Sequence, residues 1–210
     1  MNEIYSSIQQ EASAQLKVEG SRFIAEVYPV EDEETAKRTL EATRKKYFDA
    51  THHCFAYVIG ADKKIVRHSD DGEPSGTAGI KIYNAIQSKN LTDILVIVTR
   101  YFGGTKLGVG GLGRAYFESA ESGIAGAKFI SKAVLREVTV AFPFSETNPV
   151  MNIINMQKLK IIKTEYEAGR SLLTLNVLPS RLSSVETLLK NATKGNAAIQ
   201  LGGCITSILQ

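Results

Sequence analysis

TRYFGGTKLGVGGLGRAY, residues 99–116, is the stretch on which the fold turns. Within it Gly108-Val-Gly110-Gly-Leu-Gly113 spells GxGxxG, the pattern of a dinucleotide-binding turn. That turn requires a strand directly before the first glycine, and an acid closing a second strand about 20 residues on. Here the preceding strand ends near Thr99, nine residues ahead of Gly108, and residues 110–126 read as a helix running towards Lys128. The match is accidental, and a dinucleotide fold is set aside. What remains is a glycine-bearing loop that leads into a helix start. Arg100, Lys106 and Arg114 stand beside the backbone of Gly108, Gly110 and Gly111, residue types that together hold phosphate of a nucleotide or of RNA. Tyr101 and Phe102 add a stacking face next to Arg100. The competing reading puts Phe102 in the core and uses the glycines only for close packing of helix on sheet. Both stay open.

Upstream lies DDGEPSGTAG, residues 70–79. Gly72, Gly76 and Gly79 permit backbone conformations closed to other residues, and Pro74 stiffens the turn. Ser75 and Thr77 precede a helix starting near Gly79, whose first N–H groups suit a phosphate or carboxylate. Asp70, Asp71 and Glu73 would repel an anion there unless a cation intervened. The plain expectation is a capped helix with a solvated acidic turn, although the residue types crowd beyond what one cap needs.

Further out, SRFIAEVYPV (21–30) alternates as a strand. The next helix carries Glu31, Asp32, Glu33 and Glu34 at its start and Arg44, Lys45 and Lys46 at its end, as the helix dipole favours. Its Ala36, Leu40, Thr43 and Tyr47 form one inward stripe. THHCFAYVIG (51–60) is a strand, with residues 64–68 its hairpin partner; residues 79–88 are a helix and 92–99 a buried strand. In the 51–60 strand His52 and Cys54 share one face and His53 takes the other. A metal site is not expected: no HxxxH or CxxC supplies further ligands. His52 is placed beside the 70–79 loop, with His68 near it in sequence.

Beyond residue 135 the pattern changes. Eleven of the 17 glycines lie between Gly72 and Gly126. Residues 1–135 hold 17 basic and 17 acidic side chains, whereas residues 136–210 hold 8 and 5. The shift predicts two domains, 1–133 and 134–210, joined without a linker near residues 131–136. In the second, residues 135–142, 160–167, 171–178 and 197–201 read as strands. A helix capped by Ser145, with Val150, Ile153, Ile154 and Gln157 inward, and a helix over 181–190 complete it. Residues 168–170 are read as a three-residue hairpin loop. The order βαββαβ is the split unit of ferredoxin-like domains. The fold class is α+β: two α/β sandwiches.

At 210 residues the chain has ample length for a core without staples. Its longest aliphatic run, residues 94–98, is far short of the roughly 20 residues of a membrane helix. No export signal is visible in residues 1–20, and Cys54 and Cys204 are expected as reduced thiols, so a soluble cytoplasmic protein is expected with no membrane partner. A net charge of +3 and pI near 8.8 neither require nor exclude RNA. No nucleophile elbow or HExxH is present, so no catalytic residue, metal or cofactor is assigned.

Read in order, SRFIAEVYPV, THHCFAYVIG, DDGEPSGTAG and TRYFGGTKLGVGGLGRAY resemble the IMPACT/YigZ family, formerly the UPF0029 group, over residues 15–127. Residues 136–210 resemble the small C-terminal domain of its bacterial, YigZ-type members. Gly113 departs from the family, whose members more often carry an apolar residue such as valine there. The resemblance implies a first domain sharing the fold of the second domain of a small-subunit ribosomal protein and of GHMP kinases. It implies a ferredoxin-like second domain similar to the last domain of elongation factor G. Eukaryotic members regulate translation by binding a ribosome-associated activator of an initiation-factor kinase. The implied role is a non-enzymatic, translation-associated module engaging RNA, the ribosome or a ribosome-associated protein. The anion- or RNA-binding candidates are Arg100, Lys106, Gly108, Gly110, Gly111 and Arg114; the recognition-loop candidates are His52, Asp70, Asp71, Glu73, Ser75 and Thr77. Two alternatives accompany it: an enzyme or sensor for a phosphorylated small molecule, and a protein–protein adaptor whose glycine loops are structural.

Overall fold

A computed structural model describes residues 3–209. The chain divides into two compact units, Met1–Ser131 and Lys132–Gln210, and passes from one to the other inside a strand, Phe129–Pro143. Both units place helices on an antiparallel sheet, an α+β arrangement.

The first unit contains β1 (Ile4–Ile8), β2 (Ala12–Val18), β3 (Ser21–Pro29), α1 (Glu33–Lys46), β4 (His52–Ile59), β5 (Ile65–Ser69), α2 (Gly79–Ser88), β6 (Ile94–Tyr101) and α3 (Gly108–Ala125). Its main sheet has the order β2-β3-β6-β4-β5, every pair antiparallel. The central strand β6 is buried from Ile94 to Arg100, and its period of two sorts it between two cores. Ile94, Val96 and Val98 join Phe23, Ala25, Cys54, Ala56 and residues of α2 and α3 on one face. Leu95 and Ile97 join Val30, Ala36, Phe55, Tyr57 and Ile59 under α1 on the other. One face thus carries two helices and the other only one.

α1 starts where Asp32 accepts from the Thr35 amide at 2.6 Å, and its ends carry the acidic and basic residues that the dipole favours. Ala36 and Thr43 are buried, while Leu40 and Tyr47 are only half-buried. α2 spans the expected residues, and α3 begins two residues earlier than expected, at Gly108.

The second unit holds β7 (Phe129–Pro143), α4 (Thr147–Met156), β8 (Lys160–Glu167), β9 (Arg170–Val177), α5 (Leu182–Ala192) and β10 (Ala198–Ile208). Within the unit the strands run β10-β7-β9-β8, with every pair antiparallel. That is the split βαββαβ order, in which β9 lies between β7 and β8. Val138, Val140, Phe142, Leu173 and Leu175 pack beneath Val150, Ile154, Val185 and Leu189.

Three local expectations need correction here. Ser145 does not cap α4: residues 144–146 form a 3-10 turn and α4 starts at Thr147, whose hydroxyl donates to Phe144 O at 2.8 Å. The β8–β9 loop has two residues, not three, because Glu167 pairs with Arg170 across Ala168 and Gly169, both at positive φ. That is the two-residue turn whose twist suits a hairpin. β7 and β10 run well beyond the expected strands, to 15 and 11 residues.

Candidate functional site

The two glycine-bearing motifs meet through a buried carboxylate. Arg100, near the end of β6, donates from Nη1 to Glu73 Oε1 at 2.7 Å, with both side chains at most 6% exposed. The Tyr116 hydroxyl on α3 donates to the same oxygen at 2.8 Å. Arg100 also donates from Nη2 to Ser21 Oγ at 3.2 Å, which ties β3 into the cluster. Arg100 is therefore not a free cation for a ligand, contrary to the expectation for an anion site. Its charge is compensated within the chain. Cys54 Sγ donates to the Tyr116 hydroxyl at 3.3 Å. Burial raises the pKa of Tyr116 first, with Cys54 and Glu73 adding to it, and burial likewise raises Cys54. Both hold their protons, so Cys54 is an inert thiol.

The carboxylates of the acidic turn are engaged within the chain as well. Asp70 accepts from the Gly76 amide on one oxygen at 2.9 Å, and from the Ala78 and Gly79 amides on the other at 2.9 and 2.8 Å. The amides expected to receive an outside anion thus receive the chain's own carboxylate. Gly79 makes this approach possible: a Cβ there would lie 2.7 Å from the Ser69 backbone. Burial works to raise the Asp70 pKa, but the amides of Gly76, Gly79 and Ala78 outweigh it and the net shift is downward.

Asp71, at φ +44°, accepts from Arg44 at 2.6 Å and from the His53 amide at 2.7 Å. His52 Nδ1 donates to the Asp71 carbonyl at 2.8 Å, so in neutral His52 the unprotonated Nε2 faces Glu73 Oε2 at 3.8 Å. His53 Nε2 donates to Tyr47 O at 3.1 Å on the opposite face. His68 packs its ring 6.2 Å from that of Tyr83 and adds to the lowering of the Asp70 pKa. Thr77 is buried and donates to Pro74 O at 2.6 Å, whereas Ser75 is exposed. Among the described residues, no group of three or more His, Cys, Asp or Glu side chains is placed to hold a metal ion. No helix among them is long and apolar enough to cross a membrane.

The remaining cations behave differently. Lys106 and Arg114 are exposed, and neither has an ion-pair partner among the described residues. Lys81 on α2, half-buried, likewise has no ion-pair partner among the described residues, and sequence reasoning missed it. Its only sequence signal was a basic residue two positions into α2. No side chain caps α3, whose first glycines, Gly108, Gly110 and Gly111, are exposed. Two clefts flank this first turn. One, of about 330 Å³, is bordered by Glu73, Arg100, Phe102 and Lys106. The other, of about 410 Å³, is bordered by Lys81, Gly110, Gly113 and Arg114. Phe102 is 47% exposed, so it is not a core residue, while the Tyr101 ring is covered by Arg22 at 4.2 Å. The surface combines three cations without ion-pair partners, open backbone and the half-exposed Phe102 ring, which the Arg100 guanidinium approaches to 5.5 Å on one side.

The family model of the Impact N-terminal domain matches residues 19–124. The IMPACT family member YvyE of Bacillus subtilis (strain 168) is 33% identical over 162 residues, 77% of this chain and 75% of YvyE. The IMPACT family member YigZ of Escherichia coli (strain K12) is 33% identical over 154 residues, 72% of this chain and 76% of YigZ. The Protein IMPACT of Oryctolagus cuniculus is 34% identical over 93 residues, 42% of this chain but 29% of that protein. Among solved structures, the crystal structure of a hypothetical protein aligns with a TM-score of 0.67 at 27% identity, covering 95% of this chain and 97% of its own.

Proposed function

The chain belongs to the IMPACT family, and from that premise we propose that it is a translation-associated binding module whose first unit holds the phosphate backbone of RNA across the start of α3. The observation that carries this reading is the division of charge at the site. Asp70, Asp71 and Glu73 are each engaged within the chain, while Lys81, Lys106 and Arg114 surround an uncapped helix start without acidic partners. Local charge is therefore positive although the chain's net charge is only +3. Phosphate contacts from such cations position a strand without reading its sequence. Phe102 offers a face on which one base stacks.

The test is co-sedimentation with ribosomes, alongside fluorescence anisotropy on a single-stranded RNA. The variant Lys81→Gln, Lys106→Gln, Arg114→Gln is expected to bind at least ten-fold more weakly while unfolding at the same temperature as the native chain. Equal binding by the two proteins would reject the reading.

A further inference from the structure

The face of the first sheet that carries only α1 holds a second cleft, separate from the α3 surface. It has a volume of about 340 Å³ and lies between α1 and the edge strand β5. Its floor is apolar: Leu40 of α1, Phe55 of β4 and Leu95 of β6. The Phe55 and Tyr57 rings stand side by side, centroids 6.1 Å apart and planes 13° from parallel, as i, i+2 residues of a strand do. Tyr57 is fixed from its far end, its hydroxyl donating to Glu33 Oε1 at 2.5 Å.

The rim is basic. Lys37 and Arg44 stand seven residues apart, with Leu40 between them, along one edge of α1. Arg67 is the register partner of Tyr57 on β5 and faces them across the cleft. None of its lining residues is an aspartate or glutamate; the carboxylates nearest them are Glu33 at the Tyr57 hydroxyl and Asp71 at Arg44. Lys37 and Arg67 are exposed and lack a carboxylate partner among the described residues. Arg44 alone is paired, with Asp71 at 2.6 Å.

We propose that this cleft is a binding site for a nucleoside monophosphate, or a small molecule of that chemistry: a flat ring joined to a phosphate. Its volume falls at the lower end of small-molecule pockets, roughly 300–1,000 Å³. That is more room than a lone phosphate fills, and too little for a folded partner. A flat ring is accommodated on the Leu40, Phe55 and Leu95 floor, and the phosphate is placed among Lys37, Arg44 and Arg67. A cation pair from two different elements fixes the position of an anion better than two neighbours on one helix, and an arginine fork suits phosphate oxygens. Arg44 also connects the cleft to the 70–79 loop, since Asp71 holds both the His53 amide and, through its carbonyl, His52. A phosphate that draws Arg44 away loosens that loop. The proposal does not depend on RNA binding at α3, because no residue is shared between the two surfaces.

The experiment is calorimetric titration of the full chain with AMP, GMP, CMP and UMP, with adenosine and inorganic phosphate as the separated halves. Backbone amide shifts locate the site. At least one monophosphate is expected to bind at least ten-fold more tightly than either half, with shifts concentrated at residues 37–44, 55–57 and 67–69. Lys37→Gln with Arg67→Gln should weaken that binding at least ten-fold and leave the unfolding temperature unchanged. The Lys81, Lys106, Arg114 variant should bind the nucleotide as the native chain does. Failure of all four monophosphates at millimolar concentration would overturn the proposal. So would binding that survives the Lys37 and Arg67 substitutions, or that is lost instead in the α3 variant.

Discussion

Glu73 and Arg100, 27 positions apart, form a 2.7 Å ion pair in the interior of the first unit, joining the acidic turn to the end of β6. This pair organises the site rather than binding a ligand. Removing one partner of a buried pair leaves an uncompensated charge and costs about 3–5 kcal/mol. Arg100→Gln or Glu73→Gln is therefore expected to lower the unfolding temperature by roughly 10 °C or more. Thermal unfolding followed by circular dichroism checks this. A shift of only one or two degrees for either variant would show that the pair is dispensable. Arg100 consequently has no place in a charge-removal variant designed to spare the fold.

The Asp70 carboxylate predicts a specific acid sensitivity. Its folded pKa lies below the ordinary value of 3.8, so its contribution to stability is complete above that value and disappears as pH falls through the folded one. The native chain should lose stability more steeply below pH 4 than Asp70→Asn does. At neutral pH, Asp70→Ala should cost about 0.5–2 kcal/mol, the usual effect of losing a helix cap. Urea unfolding at pH 7 and at pH 3.5 separates the two effects. Parallel pH profiles for the native chain and Asp70→Asn would contradict the assignment.

Local periodicity revealed most of the elements, though not β1 or β2, and none of these partners. β3, β4, α2 and β8 follow from alternation or helical spacing in short windows, and the resemblance of four motifs named the family. The β2 strand carried a readable signal as well: Ala12, Ala14, Leu16 and Val18 alternate on its half-buried face. Asp70 reaches amides six to nine residues ahead, and Arg100 reaches Ser21 across 79 positions. Such contacts exist only once the sheet has formed, so spacing along the chain does not reveal them. For the same reason an acidic run read as solvated proves to be engaged within the chain. The extended part of β10 escaped notice because a register shift between Leu201 and Cys204 breaks its alternation.

Gly113 gives a way to move one cation without removing it. A Cβ at this position would lie 3.1 Å from Lys81 Cε, the far end of a flexible side chain. Gly113→Val should therefore displace the Lys81 ammonium from the cleft it borders. Valine is a slightly better helix former than glycine, so stability should change by less than about 1 kcal/mol. RNA affinity should fall by about the same factor as in Lys81→Gln, measured by anisotropy. A loss of several kcal/mol would mean that the helix itself cannot accept the side chain.

The second unit offers an independent check of its hairpin. Ala168 sits at φ +46° and Gly169 at +77° in the β8–β9 turn. Asparagine tolerates the left-handed region far better than alanine. Ala168→Asn is expected to stabilise the second unit by on the order of 0.5–1 kcal/mol, as the strain of an alanine there is relieved. Hydrogen exchange at β8 and β9 amides should slow accordingly. Faster exchange would contradict the turn geometry.

The central claim is that Lys81, Lys106 and Arg114 hold RNA phosphates, and the salt dependence of binding tests it most directly. Each phosphate neutralised on a single strand contributes a slope of about −0.7 to log K against log salt, so three cations contribute about −2. The native chain should show at least that slope, and the triple glutamine variant should lose about 2 from it. An unchanged slope in the variant, or RNA binding indifferent to salt in the native chain, would contradict the account.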